Sequence, residues 1–356
     1  MLESRPVTKR SVFLLGACAL SLTACGGDDT NTTGAPDAGM MCVPPSMAPA
    51  RTPPACPAGG DVCGCADQGP PDYTCATAGR TSPMGTDAQR AALERTNHWR
   101  TSAGLDPVNA SALLEEAARA HSQFMVDNPS SCWPGGHRQS NAVTCMGFTG
   151  TTPGERIART GYRIAAAGEV INWESSPNRS IDLWVWSVYH RTPFVNNEYT
   201  EVGFASVSGM LSGRTTGFNT MEWARPSGAS PQPLTRVALF PPPGATGVPT
   251  SFQGNLEGPT PPRPATGNWP SGPVISLTFP SMNFTVDTHR LLDGNCQEVV
   301  HSYFTAATDS NLGGNRRFVY FYADRPLARA TDYTVEVRGT LNGAPWGRVW
   351  RFRTNE

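Results

Sequence analysis

No run of lysine or arginine occurs anywhere in the 356 residues, and the formal net charge is −1. A phosphate-binding patch is therefore missing, and nucleic acid is not an expected partner. No Gly-x-Ser-x-Gly elbow surrounds Ser140, which follows His137, or Ser187, three residues before His190. A serine hydrolase of that design is not expected. The apolar run over residues 11–22 is too short to span a bilayer comfortably. From Val237 onward no acidic cluster, histidine pair or Gly-rich phosphate loop stands out. What is present is much glycine (36) and proline (33), hence many turns and linkers, and 10 cysteines, in a chain long enough for two ordinary domains plus tails.

The N-terminus decides how the cysteines are read. Arg5, Lys9 and Arg10 form a basic segment ahead of the short apolar run, which ends in Leu22-Thr23-Ala24-Cys25-Gly26-Gly27. This resembles a bacterial lipoprotein lipobox, in which the cysteine thiol is acylated and the preceding peptide removed. Residues 1–24 are thus expected to be a signal peptide, with Cys25 the lipidated residue that tethers the chain to a lipid bilayer. No Asp follows Cys25, so an inner-membrane retention signal of that kind is not seen. Residues 25–85 read as a disordered Pro/Cys-rich tether. Its cysteines, Cys42, Cys56, Cys63, Cys65 and Cys75, have no histidine among them, and in an exported chain they suggest disulfides rather than a metal knuckle. Their number is odd, which makes Cys296 the obvious spare partner.

Order begins near Thr86-Asp87-Ala88-Gln89, which has the spacing of a capping box. The spacing of Leu93, Thr96, Asn97 and Arg100 predicts a helix that Gly104 stops. A second helix is predicted over residues 110–127, with Leu113, Leu114, Ala117, Ala118, His121, Phe124 and Met125 on one stripe. His121 reads there as a core or boundary histidine with a hydrogen-bond partner. Residues 129–150 form a Gly-rich loop in which Cys132 and Cys145 bracket His137, and a disulfide between them would restrain that histidine. Thr152-Pro153-Gly154-Glu155 starts a short helix. Another helix is expected over 180–188 and strands over 199–206 and 217–224. Short alternating segments over 274–279, 318–322, 332–337 and 348–354 suggest a β-sandwich.

In order along the chain, several motifs resemble those of the CAP superfamily, comprising cysteine-rich secretory proteins, antigen 5 and pathogenesis-related 1 (SCP-like), in its bacterial form. They are Leu93…Asn97…Arg100, the Ala-rich helix with His121, the loop histidine His137, Phe148-Thr149-Gly150, Gly168-Glu169, the series Trp184, Ser187, His190, Arg191, and Tyr199-Thr200-Glu201-Val202-Gly203. The resemblance implies an α+β chain, with a CAP α-β-α sandwich over 86–230. Residues 236–356 more loosely resemble the Ig-like β-sandwich domain appended to such lipoproteins, through Gly244-Ala245-Thr246-Gly247-Val248-Pro249 and Thr331-Asp332-Tyr333-Thr334-Val335. It also implies an outer-membrane or cell-surface location.

Eukaryotic members carry two histidines and two glutamates in a cleft, a set suited to a divalent metal such as Zn²⁺. Carried over, the first histidine is His137 and the first glutamate Glu169. The second glutamate position falls at Ser187 and the second histidine position at Glu198, while Val170 replaces the Asn of the Gly-Glu-Asn motif. His190 is the alternative metal candidate beside His137; its plainer role is a helix C-terminal cap. The cleft candidates are therefore His137, Glu169, His190 and Glu198. Two readings stand: a non-catalytic extracellular module binding a lipid, glycan or protein partner, and a metal-assisted hydrolase acting through the His/Glu cleft. The incomplete tetrad favours the first.

Overall fold

The computed structural model describes residues 85–356, which fall within one compact unit. The expected signal peptide, the lipidation site Cys25 and the five tether cysteines lie outside the described residues.

Helix α1 (Asp87–Ser102) starts at the capping box, where Thr86 and Gln89 satisfy each other's backbone amides. Strand β1 (Asn109–Ala110) pairs in parallel with residues 201–202 of a later strand, so helix α2 (Ala112–Asp127) begins two residues later than the expected start at residue 110. Helix α3 (Pro153–Arg159) is capped by Thr152 with Pro153 in its first turn. Strand β2 (Ile164–Asn172) carries the Gly168-Glu169 pair. Helix α4 (Pro177–Val185) lies earlier than residues 180–188, because Ser176 caps it and Pro177 supplies the start signal. Strands β3 (Glu201–Leu211) and β4 (Arg214–Pro226) form a long hairpin.

These strands make a four-stranded sheet in the order β1-β3-β4-β2. Because side chains alternate along a strand, Val170, Met221 and Trp223 face α1 and α4, packing with Leu93, Ile181 and Trp184. The opposite face meets α2 and α3 through Leu114, Ala117, Ile157 and Ala224, and further along through Met125, Ile171 and Phe218. The result is three layers, α-β-α, over a mixed α+β segment.

The C-terminal region is β-rich. Strands β5 (Ala238–Phe240), β7 (Ile275–Thr278), β10 (Phe318–Ala323) and β9 (His301–Phe304) form one four-stranded sheet in that order. Strands β6 (Ala245–Val248), β12 (Ala344–Thr354), β11 (Asp332–Leu341) and β8 (Phe284–Leu292) form another. Their facing side chains, among them Leu277, Phe321, Val335, Trp350 and Phe352, make a shared core.

This region is not held at a distance from the first. Phe240 packs edge-on against Trp186 and tilted against Trp99, at centroid separations of 5.0 and 5.4 Å. Arg191 is fully buried and donates to Val274 O at 2.9 Å, to Ser276 Oγ at 3.1 Å and to Val185 O. Glu257, on the segment between β6 and β7, accepts from the backbone amides of Val188, Tyr189 and His190 at 3.0, 2.6 and 3.2 Å. A hydrophobic cluster therefore runs continuously from α1 and α4 into β5, β10 and Val274, the residue before β7. No helix among the described residues is long and apolar enough to cross a membrane.

Candidate functional site

The loop between α2 and α3 lies over the β2 side of the sheet and delivers His137 there. Gly136 makes this possible: its φ is +79°, and a Cβ on it would come within 2.1 Å of Ile171 Cδ1. Cys132 and Cys145 are joined in a disulfide that closes the loop around His137. Gly168 is needed for a similar reason, since a Cβ there would lie 2.7 Å from the Tyr199 hydroxyl.

His137 Nδ1 donates to Glu169 Oε1 at 2.8 Å. The other oxygen, Oε2, pairs with the Arg156 guanidinium from α3. Arg156 also donates to His137 O at 3.0 Å, so one buried cation fixes both the carboxylate and the loop above it. Behind them His121, on α2, is wholly buried. Its Nε2–H donates to Gly136 O at 2.8 Å and its Nδ1 accepts from Gln139 Nε2 at 3.0 Å. Gln139 in turn accepts from Thr149 N at 2.8 Å. His121 is thus a loop-holding residue with both ring nitrogens engaged.

Glu222, on β4, is the cross-strand neighbour of Glu169 and is entirely buried. Its Oε1 lies 3.7 Å from Arg156 Nε. As a carboxylate it would have no donor for either oxygen. Burial, and then the charge of Glu169, push its carboxyl well above the usual range, so it is neutral in the fold. Burial alone would also raise Glu169, but Arg156, then His137 and His121, outweigh it and hold the carboxyl at about 2. Burial lowers His121 to about 4, with Glu169 opposing, so its 3.9 Å approach to Glu169 is not an ion pair at neutral pH. The two carboxyls divide one proton and one cation between them.

This arrangement gives a stability signature. Above about pH 4.5 the unfolded chain releases the Glu222 proton while the folded chain keeps it, so stability falls as pH rises. Glu222→Gln keeps the shape and the donor but removes the titration. Urea unfolding is expected to show the variant gaining on the wild type between pH 5 and pH 8, by up to about 1.4 kcal/mol per pH unit. Parallel stability curves for the two proteins would show that Glu222 is ionised in the fold.

Of the four cleft candidates, the structure joins His137 and Glu169. The other two face the C-terminal region. His190 Nδ1 lies 3.1 Å from Glu257 Oε1, and α4 has already ended at Val185, so His190 is not a cap for its last turn. Glu198 lies 3.3 Å from Arg225 and 3.7 Å from Arg317. Ser187 donates to Trp184 O at 2.8 Å. Among the described residues no three His, Cys, Asp or Glu side chains are grouped to hold a metal ion. His137 offers one remaining ring nitrogen, His121 offers none and Glu169 is spent on Arg156 and His137. That donor set does not fit a catalytic zinc, which needs three protein ligands.

Arg156, Gln139, Glu222 and Glu257 escaped the sequence reading. Glu222 left a signal: it sits between Met221 and Trp223 in a strand stretch buried on both faces, where an acid needs a partner. Outside the network, Trp173 follows β2 and is 39% exposed, tilted against Trp133 at 6.0 Å. Trp133 O accepts from Gly136 N, so Trp133 belongs to the same loop that carries His137. Val143 and Met146 of the disulfide loop are also exposed.

Residues 93–213 match the family model described as the cysteine-rich secretory protein family, CAP. Among solved structures the chain is similar to an outer surface protein from Borrelia burgdorferi, at 16% identity and a TM-score of 0.30, over 38% of this chain and 90% of that one. No curated protein matches.

Proposed function

We propose that the chain is an exported, lipid-anchored surface protein whose CAP segment binds a ligand without transforming it, and that a glycan is the ligand class its geometry suits best. The observation that carries the reading is the state of Glu169. Both of its oxygens are occupied, one by the buried Arg156 and one by His137, and its carboxyl is held ionised by Arg156. A general acid or base needs a proton exchangeable near the working pH, and a metal site needs open donors; Glu169 supplies neither. The network instead stiffens the loop that presents His137.

Trp173, just after β2 and paired with Trp133 of the loop that carries His137, is 39% exposed, and His137 is partly exposed, with a ring nitrogen beyond the one facing Glu169. Flat aromatic faces beside a few fixed polar groups are the ordinary composition of a sugar subsite. Cys25 as lipid anchor and residues 26–85 as tether would place this face away from a bilayer. The C-terminal β-region, Ig-like by its strand pattern, would act as part of the same rigid head.

Calorimetry on the full chain with a tetramer of N-acetylglucosamine tests this. Saturable binding is expected, lost in Trp173→Ala and weakened in His137→Ala, with circular dichroism unchanged. Binding to phosphatidylglycerol vesicles in place of the sugar, sensitive to the same substitutions, would make the ligand a lipid. Wild-type affinity in the double variant would remove this face from the function.

A further inference from the structure

The sequence of the C-terminal region shows no histidine pair, yet the fold makes one. His289 lies on β8, the edge strand of one sheet, and His301 opens β9, the edge strand of the other. His289 Nδ1 and His301 Nε2 are 2.9 Å apart. His301 Nδ1–H donates to Val299 O at 2.8 Å, which fixes its tautomer and leaves the lone pair on Nε2, facing His289. A ring N–H held by a backbone carbonyl is the usual support for a metal-binding histidine. The His289 ring is clamped too, stacked on Tyr303 at 4.3 Å and 12°. Both rings are only partly buried, so an ion has access from solvent.

We propose that His289 and His301 form a two-imidazole site for a divalent transition ion of the kind imidazole prefers, Zn²⁺ or Cu²⁺. Without metal, a single proton on His289 Nδ1 bridges the two nitrogens. On binding, His289 carries its proton on Nε2 instead, both inward nitrogens present lone pairs, and no net proton is released. One ion about 2.0–2.1 Å from each nitrogen sets them about 2.9 Å apart at a right angle and about 3.4 Å apart at a tetrahedral angle, so the 2.9 Å already built fits the first and opens by a few tenths of an ångström for the second. Water completes the coordination, since among the described residues no third His, Cys, Asp or Glu side chain is grouped with the pair. The ion would staple the two sheets at their β8 and β9 edges.

The test is calorimetric titration of the chelator-treated full chain with ZnCl₂ and with CuCl₂, alongside His289→Gln, His301→Gln and His137→Ala. One equivalent of ion is expected, retained in His137→Ala and weakened about tenfold or more in each glutamine variant, a loss equivalent to one ligand. The ion should raise the unfolding temperature of the wild type and leave that of His289→Gln unchanged. Each variant's metal-free unfolding temperature and circular dichroism establish that it is folded. No uptake by the wild type, or equal uptake by a folded His289→Gln, overturns the proposal.

Discussion

Arg156→Met is expected to destabilise the protein by about 3–5 kcal/mol, the usual cost of breaking a buried ion pair from one side. The guanidinium is wholly buried and supports Glu169, His137 O and, more distantly, Glu222. Without it a carboxylate remains in the interior with only His137 as a strong partner, and it must take up a proton at neutral pH. Thermal unfolding at pH 7 should fall by roughly 6–20 °C. The pH dependence identifies the cause. Glu169 is depressed to about 2, so its stabilisation is complete above about pH 4.5 and is lost as pH falls toward 2. The deficit of Arg156→Met should therefore be largest near neutrality and shrink below pH 4.5. Adding Glu169→Met should recover part of the loss, because two apolar side chains then replace the pair. A deficit of constant size across this range would point to lost packing instead.

Ending the chain at residue 235 is expected to abolish cooperative folding of what remains. Such a chain loses Phe240 from between Trp99 and Trp186, Val274 O and Ser276 Oγ from Arg191, and Glu257 from three backbone amides. Each large apolar side chain uncovered costs about 2 kcal/mol, against a total domain stability of roughly 5–15 kcal/mol. The buried Arg191 charge is also left with Val185 O in place of its three acceptors. Near-ultraviolet circular dichroism and dye binding should report a loosened, sticky species. In the full chain, Glu257→Gln should weaken the same junction by a smaller amount, since one amide oxygen cannot replace both carboxylate oxygens. A truncated chain that unfolds in one sharp transition at wild-type temperature would show that the junction is incidental.

These two results bear on how much the sequence revealed. The capping box at Thr86, the helix start at Thr152-Pro153 and the stripe ending at Met125 are local signals, and the structure uses each of them. Alternation located β7, β10, β11 and β12, but β8 was missed because Asp287 and Thr288 interrupt the pattern at a bulge. The pairing of His137 with Glu169 was approached through the order of motifs, whereas Arg156 was hidden beside Glu155, whose capping role is plain. His190 looked like a cleft residue because it stands in a recognisable series with Arg191. Their partners, Glu257, Val274 and Ser276, lie more than 60 residues away, and no spacing rule anticipates them. Pairings set by tertiary approach, as with His289 and His301, are likewise invisible to a linear pattern.

Incubating the full chain with the N-acetylglucosamine tetramer, then measuring bound and free sugar by mass spectrometry, tests most directly whether the His137–Glu169 face binds without transforming. The expected result is tetramer that is retained by the protein, released intact on denaturation, and not retained by Trp173→Ala. Shorter oligomers that accumulate with time, and vanish in His137→Ala, would contradict a binding role and make the face a hydrolytic site.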